Sequence, residues 1–244
     1  MRTIFIADAH LVSPDDNNYR LLLRFLHELE GELDTLYILG DLFDFWLGFP
    51  SQPSAEYDAV IDALERLVKH GCKLVYYEGN HDFHLGMVFS QRLNAIIHTG
   101  PFLETVQGKK LYICHGDQIN KSDRLYRLLR FLLRTRMVAA GVRHFPPLWA
   151  QKIRQRLQKR SQAGYGVNSG RWDYRRIILG FARSLQKKGY DGLVTGHFHL
   201  ALCEELTVPP FAVLSLGDWM EQFTYGEMIN GELRLKRYAN HPVT

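Results

Sequence analysis

Residues 37–46 read Tyr-Ile-Leu-Gly-Asp-Leu-Phe-Asp-Phe-Trp, and this stretch places a carboxylate directly after a short apolar run. Residues 36–39 have the length and composition of a buried strand, which ends at Gly40. Functional groups of open α/β sheets lie at the carboxyl ends of the strands. We therefore expect Asp41 to belong to a functional site at such a sheet edge.

Four further segments also place polar side chains directly after a short apolar run. They are Asp8-Ala9-His10, Gly79-Asn80-His81-Asp82, Cys114-His115-Gly116-Asp117 and Gly196-His197-Phe198-His199. A single strand-end Asp or His is more often a cap or a turn residue, and Gly-Asn and Gly-Asp are ordinary turn dipeptides. Five such segments in one chain would rarely arise by chance, so we interpret them as parts of one site.

The first third of the chain alternates predicted strands and helices. Apolar strands are predicted at 2–7, 36–39 and 73–77, and helices with regularly spaced apolar residues are predicted at 19–30 and 57–69. Repeated βα units of this kind indicate a predominantly parallel sheet with helices outside it.

The remainder of the chain predicts shorter strands and further helices. The predicted strands are 95–97, 102–106, 111–114, 192–195, 202–206, 211–216, 225–229 and 233–238, and the predicted helices are 87–93, 121–137, 148–160 and 172–187. Asn230-Gly231 is a strong hairpin signal between the last two strands. The expected fold class is α/β, built as an α+β sandwich of two packed mixed β-sheets flanked by helices. We expect one domain, residues 1–244, that carries a helical insertion at 121–170.

Length and composition are those of an ordinary globular protein. The chain has 244 residues, of which 46% are hydrophobic and 23% charged, and it can bury a sizeable core. A strand predicted directly after the first residues leaves no room for a signal sequence, and no apolar run approaches the roughly 20 residues of a membrane span. We therefore expect a cytoplasmic protein whose three cysteines, Cys72, Cys114 and Cys203, are reduced core residues.

The formal net charge of +4 is unevenly distributed along the chain. Residues 121–160 contain 12 of the 30 Lys and Arg residues and a single acid, Asp123. A basic segment with an apolar helical face would suit a substrate with a diphosphate and acyl chains, and it would hold the protein against anionic lipid headgroups. Two alternatives are a solvated helix pair that packs its leucines on the core and a surface that binds nucleic-acid phosphates.

The polar residues of the five segments are ligands for hard or borderline metal ions. Asp, Asn and His supply oxygen and neutral imidazole nitrogen, which suit Mn, Fe or Zn. In two-metal sites the ions lie about 3.5 to 4 Å apart, so an anionic group has to bridge them. Asp41 is the natural bridge, because one shared carboxylate offsets the repulsion of two dications. Such a pair of ions makes hydroxide available at neutral pH for in-line attack on phosphorus.

The ordered set of motifs resembles that of the calcineurin-like metallophosphoesterases. The motifs are Asp8-x-His10, Gly40-Asp41, Gly79-Asn80-His81-Asp82, His115 and Gly196-His197-x-His199. The resemblance implies that one metal ion is held by Asp8, His10, Asp41 and His199, and the other by Asp41, Asn80, His115 and His197. It also implies that His81 and Asp82 are catalytic, His81 by stabilising the transition state or protonating the leaving group, and Asp82 by orienting a catalytic imidazole.

Residues between these motifs resemble the UDP-2,3-diacylglucosamine pyrophosphatase family of lipid A synthesis. They are Leu42-Phe43 with Trp46 and Gly48, Phe83 with Leu85-Gly86, Gly116-Asp117 with Asp123 and Tyr126, and Leu216-Gly217-Asp218-Trp219. The resemblance implies hydrolysis of a UDP-linked diacyl sugar to UMP and 2,3-diacylglucosamine 1-phosphate, with two divalent ions, usually Mn²⁺, at the inner face of the cytoplasmic membrane. The implied substrate contacts are Asn80, His81, Asp123, Tyr126 and His197.

One position departs from that narrower pattern. Members of the pyrophosphatase family carry Arg after the metal-binding Asn, whereas this chain has His81, as the broader phosphoesterase family does. The enzyme alternative is therefore a general phosphodiesterase or nuclease of the same fold, and the non-enzyme alternative is a metal-bound scaffold. Nucleic acid is not the expected partner, because the apolar residues of the insertion are mostly Leu, Val and Ile, whereas single-strand binders use aromatic side chains for stacking.

Overall fold

The computed structural model describes residues 1–47, 55–122, 135 and 172–238. In these ranges the strands are β1 Arg2–Ile6, β2 Thr35–Ile38, β3 Trp46–Leu47, β4 Lys73–Tyr77, β5 Asp82–Phe83, β6 Ile96–His98, β7 Phe102–Val106, β8 Lys109–Cys114, β9 Gly192–Thr195, β10 Ala201–Thr207, β11 Pro210–Leu216, β12 Thr224–Ile229 and β13 Glu232–Arg237. The α-helices are α1 Asn17–Glu28, α2 Asp58–Lys69 and α3 Tyr174–Gln186. A 3-10 turn, Ala55–Tyr57, precedes α2, and a π-helical turn, Val88–Arg92, follows β5.

Two mixed sheets form the body of the protein. The larger sheet has the strand order β13-β12-β1-β2-β4-β6, in which β1, β2, β4 and β6 are parallel. The smaller sheet has the order β10-β11-β9-β8-β7, in which β11, β9 and β8 are parallel. Antiparallel strands complete both sheets, so the prediction of two packed mixed sheets is confirmed.

Alternating side chains divide the larger sheet into two buried faces. Ile4 and Ile6 of β1 pack with the apolar sides of α1 and α2, whereas Phe5 between them packs against the smaller sheet. The outer face of the smaller sheet packs on α3 through residues such as Leu193 and Ile178. Burial on both faces explains why the central strands are nearly continuous apolar runs in the sequence.

The turn at Asn230-Gly231 joins β12 to β13 with two residues, as predicted. Both residues have positive φ angles, 52° and 80°, which the type I′ hairpin turn requires. The predicted helices 19–30, 57–69 and 172–187 are also present, and their predicted ends lie within two residues of the observed ones. Such differences at helix ends reflect fraying of the terminal turns.

One sequence prediction was wrong, and another lies almost entirely outside the described residues. Cys72 and Cys114 are buried as expected, but Cys203 is exposed, because it lies on β10 at the edge of the smaller sheet. Apart from residues 121, 122 and 135, the predicted insertion at 121–170 lies outside the described ranges. Within those ranges, no helix has the length and apolar character needed to cross a membrane.

Candidate metal centre

The residues predicted to ligate metal come together where the parallel strands of both sheets end. Asp8 and His10 follow β1, Asp41 follows β2, Asn80 and His81 follow β4, His115 follows β8, and His197 and His199 follow β9. The two sheets therefore supply ligands from opposite sides of one cleft, as the carboxyl ends of packed parallel strands allow.

The carboxylate of Asp41 occupies the middle of this group. Its Oδ1 accepts a hydrogen bond from the backbone N–H of His81 at 2.8 Å. Its Oδ2 lies 3.7 Å from Nε2 of His10 and 3.5 Å from Nε2 of His115. The first bond fixes the side chain, so the second oxygen faces imidazoles on both sides. This is the position that a bridging ligand requires.

The possible ligand atoms form two clusters, and Asp41 belongs to one of them and faces His10 of the other. Asp8, His10 and His199 form one cluster, and Asp41, His115 and His197 form the other, with the ligand atoms of each cluster within 4.8 Å of one another. Two atoms that each lie about 2.1 Å from one ion are separated by roughly 3 to 3.5 Å. The separations of 3.5 to 3.8 Å across Asp41 and between Asp8 and His199 lie at or slightly above that range. They remain below the roughly 4.2 Å that separates two such ligands on opposite sides of one ion, so a shared ion can be bound.

Asn80 belongs with the second cluster. Its Oδ1 lies 3.0 Å from Nε2 of His115, while Nδ1 of His115 lies 2.7 Å from the carbonyl oxygen of Leu39. A carbonyl oxygen can only accept, so Nδ1 carries the hydrogen and Nε2 presents its lone pair towards Asn80 and Asp41. The ring of His115 is thus held in the tautomer that a metal ligand needs.

The loops that carry these ligands have unusual backbone conformations. Positive φ angles occur at Asp8 (53°), His10 (44°), Asp41 (53°), His197 (70°) and His199 (50°). Such conformations in residues other than glycine cost about 1 to 3 kcal/mol each and occur at functional sites. They point successive ligands of one loop towards the same cleft.

Two glycines permit the close approach of these loops. A Cβ atom on Gly79 would lie 2.1 Å from Oδ1 of Asp41, and one on Gly196 would lie 2.6 Å from Oδ2 of Asp8. Both contacts are far shorter than real Cβ atoms make. The Gly-Asn and Gly-His pairs in the sequence therefore mark places where one loop packs directly on the carboxylate of another.

The buried carboxylates need positive charge nearby. Burial, and then the neighbouring Asp41 carboxylate, raises the pKa of Asp8 well above its usual range. Burial alone also raises the pKa of Asp41, but the surrounding imidazoles, of which His115 contributes most, outweigh it and lower that pKa. Oδ1 of Asp8 is buried and accepts no hydrogen bond from the described residues. A divalent ion would supply both the charge and the missing partner.

Three imidazoles of the site, those of His10, His197 and His199, are held in their neutral form. Burial lowers the pKa of His10 well below its usual value and lowers that of His199. Burial, and then the neighbouring His115, lowers the pKa of His197 to about 3. Neutral imidazole is the form that binds metal. The donor set, its charge and its protonation therefore fit divalent metal ions.

His81 differs from the other imidazoles. Burial alone lowers its pKa, but the Asp41 carboxylate and a hydrogen bond to the Asp44 backbone outweigh burial, so the pKa of His81 is raised. The ring Nδ1 lies 2.8 Å from the Asp44 carbonyl oxygen, which leaves Nε2 free of that contact and available to another group. His81 is also partly exposed. These properties suit a group that meets substrate.

Asp44 was not singled out by the sequence analysis. It is buried, and its carboxylate Oδ1 lies 3.9 Å from Nδ1 of both His10 and His81. The three residues form a third compact cluster. The only hint of Asp44 in the sequence is its position, since it is the second acidic residue of the stretch 37–46 and follows Asp41 by three residues.

The carboxylate of Asp82 has different partners from those expected. It accepts hydrogen bonds from the backbone N–H groups of Asp41 (2.9 Å), Leu42 (2.7 Å) and Gly79 (3.0 Å) and from the hydroxyl of Tyr76 (2.5 Å). Asp82 therefore orients backbone loops, and the hydrogen-bond partner of the His81 ring is Asp44. Burial, and then the Asp41 charge, raises the pKa of Asp82 to about 7.

Of the predicted substrate contacts, Asn80, His81 and His197 lie in the cleft and are partly exposed. Asp123 and Tyr126 lie outside the described residues, so their role stays a prediction. The strand pair β3–β5 was not predicted, because each strand has only two residues. It joins the chain after Asp41 to the chain after His81 and so connects two ligand loops.

Comparisons with known proteins place this geometry in context. A family model described as calcineurin-like phosphoesterase matches residues 1–201. A Nitrosococcus oceani protein named UDP-2,3-diacylglucosamine hydrolase is 34% identical to this chain, over 90% of this chain and 88% of that protein. A protein of the same name from Stenotrophomonas maltophilia is 32% identical, over 91% of this chain and 92% of that protein.

Solved structures show a related fold. An archaeal phosphodiesterase superposes on the chain with a TM-score of 0.53 at 14% identity, and the match covers 97% of this chain and 99% of the archaeal one. At this identity the similarity concerns the fold alone, and the two-sheet sandwich described above is that fold.

Substituting Asp41 by Asn tests whether its carboxylate is shared between metal ions. Asn tolerates the positive φ angle of this position and has the same size, so the fold should be retained. We expect the variant to retain fewer metal ions and to lose at least about 100-fold in turnover, because a negative bridging oxygen is replaced. Metal content by mass spectrometry and melting temperature are the measurements.

Asp15→Asn makes the same chemical change at an exposed position and is the matched control. Asp41→Asn protein that keeps two ions per chain and near-normal turnover would show that Asp41 is no bridge.

Proposed function

This chain belongs to the calcineurin-like phosphoesterase family, and we propose that it cleaves the diphosphate of UDP-2,3-diacylglucosamine to give UMP and 2,3-diacylglucosamine 1-phosphate. The substrate assignment rests on one observation: the chain is more than 30% identical, over nearly its full length, to proteins named for hydrolysis of that compound. The carboxylate of Asp41 between two clusters of ligand atoms supports the reaction type.

Two divalent ions are the proposed cofactors. One is held by Asp8, His10, Asp41 and His199, and the other by Asp41, Asn80, His115 and His197. When bound, such ions supply a nucleophile from water and neutralise the charge that develops on the phosphoryl oxygens. Mn²⁺ is the proposed metal, because the pyrophosphatase family that the sequence resembles usually uses it. The carboxylate, amide and imidazole ligands, with no thiolate among them, suit Mn²⁺ as they suit Fe or Zn.

Side chains of the protein would bind the diphosphate and protonate the leaving group. Asn80, His81 and His197 line the cleft where a diphosphate would lie. The Asp44 carbonyl holds Nδ1 of His81, so Nε2 can donate a hydrogen bond or a proton when the ring is charged. The raised pKa of His81 favours the charged form. His81 is therefore assigned to the leaving phosphate, at the position where the narrower pyrophosphatase family has Arg.

The proposed location is the inner face of the cytoplasmic membrane, where the protein binds peripherally. Its support is the sequence between residues 121 and 160, which carries 12 basic residues and one acid. Anionic headgroups attract each such cation near the surface by about 1 kcal/mol. A substrate with two acyl chains is presented at such a surface. Asp123 and Tyr126 at the start of this segment are the proposed further substrate contacts.

Incubation with a panel of substrates tests the assignment. The protein with Mn²⁺ is given UDP-2,3-diacylglucosamine, UDP-N-acetylglucosamine, a cyclic nucleotide and single-stranded DNA in separate reactions. We expect UMP release from the diacyl compound at a rate far above all other reactions, because only it offers both the diphosphate and the acyl chains. Products are identified by mass spectrometry.

If DNA is cleaved faster than the diacyl compound, the protein is a nuclease. If the cyclic nucleotide is cleaved faster, it is a general phosphodiesterase. Equal cleavage of both UDP sugars would show that the acyl chains are not recognised. Absence of all hydrolysis from protein that retains metal would indicate a scaffold.

Substitution of His81 tests its role in the reaction. His81→Ala should lower kcat by about 100-fold or more, the usual contribution of a positioned acid or base, and should leave the metal content unchanged. His81→Arg keeps a positive charge and should retain more activity than the Ala variant. If both variants turn over like the unmodified protein, His81 does not act on the leaving group.

Vesicle flotation tests the membrane assignment. The protein should float with vesicles that contain phosphatidylglycerol and should remain behind with vesicles of phosphatidylcholine alone, because the attraction is electrostatic. Raising the salt concentration should release it, since salt screens exposed charges. Equal binding to both vesicle types at high salt, or none to either, contradicts an electrostatic membrane surface.

A further inference from the structure

The carboxylate of Asp82 links the two loops that carry Asp41 and Asn80. It is fully buried and accepts the N–H groups of Asp41 and Leu42 from one loop and of Gly79 from the other. In return, Oδ1 of Asp41 accepts the N–H of His81. The carboxylate of Asp82 thus accepts N–H groups of the Asp41 loop, and the carboxylate of Asp41 accepts an N–H group of the loop that carries Asn80. The position of each carboxylate therefore depends on the other.

Tyr76 supplies a donor to Asp82 that belongs to neither loop. Its hydroxyl lies 2.5 Å from Oδ2 of Asp82, the oxygen that also accepts the N–H of Leu42. Tyr76 is on β4, which pairs with β2 on one side and with the edge strand β6 on the other, and its ring is fully buried and packs edge-on against Phe89, with ring centres 4.9 Å apart. Strand and ring packing leave the hydroxyl little freedom to move.

We propose that Tyr76 is a positioning residue, whose hydroxyl fixes the orientation of the Asp82 carboxylate and thereby holds Asp41 between its two ligand clusters. Strand β4 is hydrogen-bonded to a neighbouring strand on each side, whereas the loop that carries Asp41 adopts a strained conformation, with positive φ angles at Gly40 and Asp41, that needs support from its surroundings. Tyr76 transmits the rigidity of the sheet to the two loops through one hydrogen bond. It acts on metal binding and does not touch substrate.

Loss of the hydroxyl has a defined consequence. Asp82 would keep its backbone donors, but Oδ2 would lose its shortest hydrogen bond and the only side-chain donor that the described residues give this carboxylate, so the carboxylate would be held less tightly. The Asp41 loop would then move relative to the Gly79 loop. Oδ2 of Asp41 would lose its fixed separations of 3.7 and 3.5 Å from the imidazoles of His10 and His115. Weaker metal binding follows, because ligands have to be held by their outer partners.

The next residue along the chain provides a matched control. Tyr77 is also buried on β4, but its side chain points to the opposite face, between the two sheets. No hydrogen-bond partner for its hydroxyl lies within the described part of the chain. Tyr77→Phe therefore removes the same atom from the same strand without disturbing the metal loops.

The test compares Tyr76→Phe and Tyr77→Phe with the unmodified protein. Each purified protein is dialysed against increasing nitrilotriacetate, and the retained metal is measured by mass spectrometry. We expect Tyr76→Phe to lose half of its metal at roughly tenfold lower chelator concentration, and Tyr77→Phe to behave like the unmodified protein. With substrate, the loss of activity in Tyr76→Phe should be restored by excess metal, with KM for the substrate unchanged.

Two results would overturn the proposal: unchanged metal retention in Tyr76→Phe, or an equal loss in both variants, which would indicate a general effect on strand β4. Only the turnover measurement rests on the proposed function, because metal retention is read without substrate. Weakened retention in a protein that does not cleave the UDP-linked lipid would refute that function and leave the role of Tyr76 intact.

Discussion

The structure of the site depends on one carboxylate whose two oxygens face different partners. Oδ1 of Asp41 is fixed by the N–H of His81, and Oδ2 is thereby directed between the imidazoles of His10 and His115. A buried acid among mostly neutral imidazoles is stable only when its charge is balanced, and divalent ions bound at these clusters would supply that balance. The other ligands are arranged around this group.

The two-sheet architecture makes that arrangement possible. Each sheet ends its parallel strands at the same cleft, so ligands from β1, β2 and β4 meet ligands from β8 and β9. Positive φ angles at both ligand residues of the loops after β1 and β9 bring the two side chains of each loop to the same side. The free-energy cost of the turns is offset by the large core on both faces of the sheets, which keeps the strand ends in place.

Protonation separates the imidazoles into two kinds. Burial keeps His10, His197 and His199 neutral, as ligands must be, whereas the Asp44 backbone and the Asp41 charge favour the charged form of His81. Environment rather than residue type thus sets the protonation of each imidazole. The same cleft therefore holds neutral imidazoles, the form that binds metal, beside one whose charged form is favoured.

Within the described residues, the sequence by itself determined the helices, the longer strands, the Asn230-Gly231 hairpin and the residues at the strand ends, because hydrophobic period, turn residues and motif order are local properties. It did not determine that Asp44 contacts His81 or that Tyr76 contacts Asp82. Those contacts depend on which strands are neighbours and on how their loops turn. Asp44 and His81 are 37 residues apart, and Tyr76 and Asp82, although only six residues apart, meet because the chain turns tightly after β4, so only the tertiary structure decided these pairings.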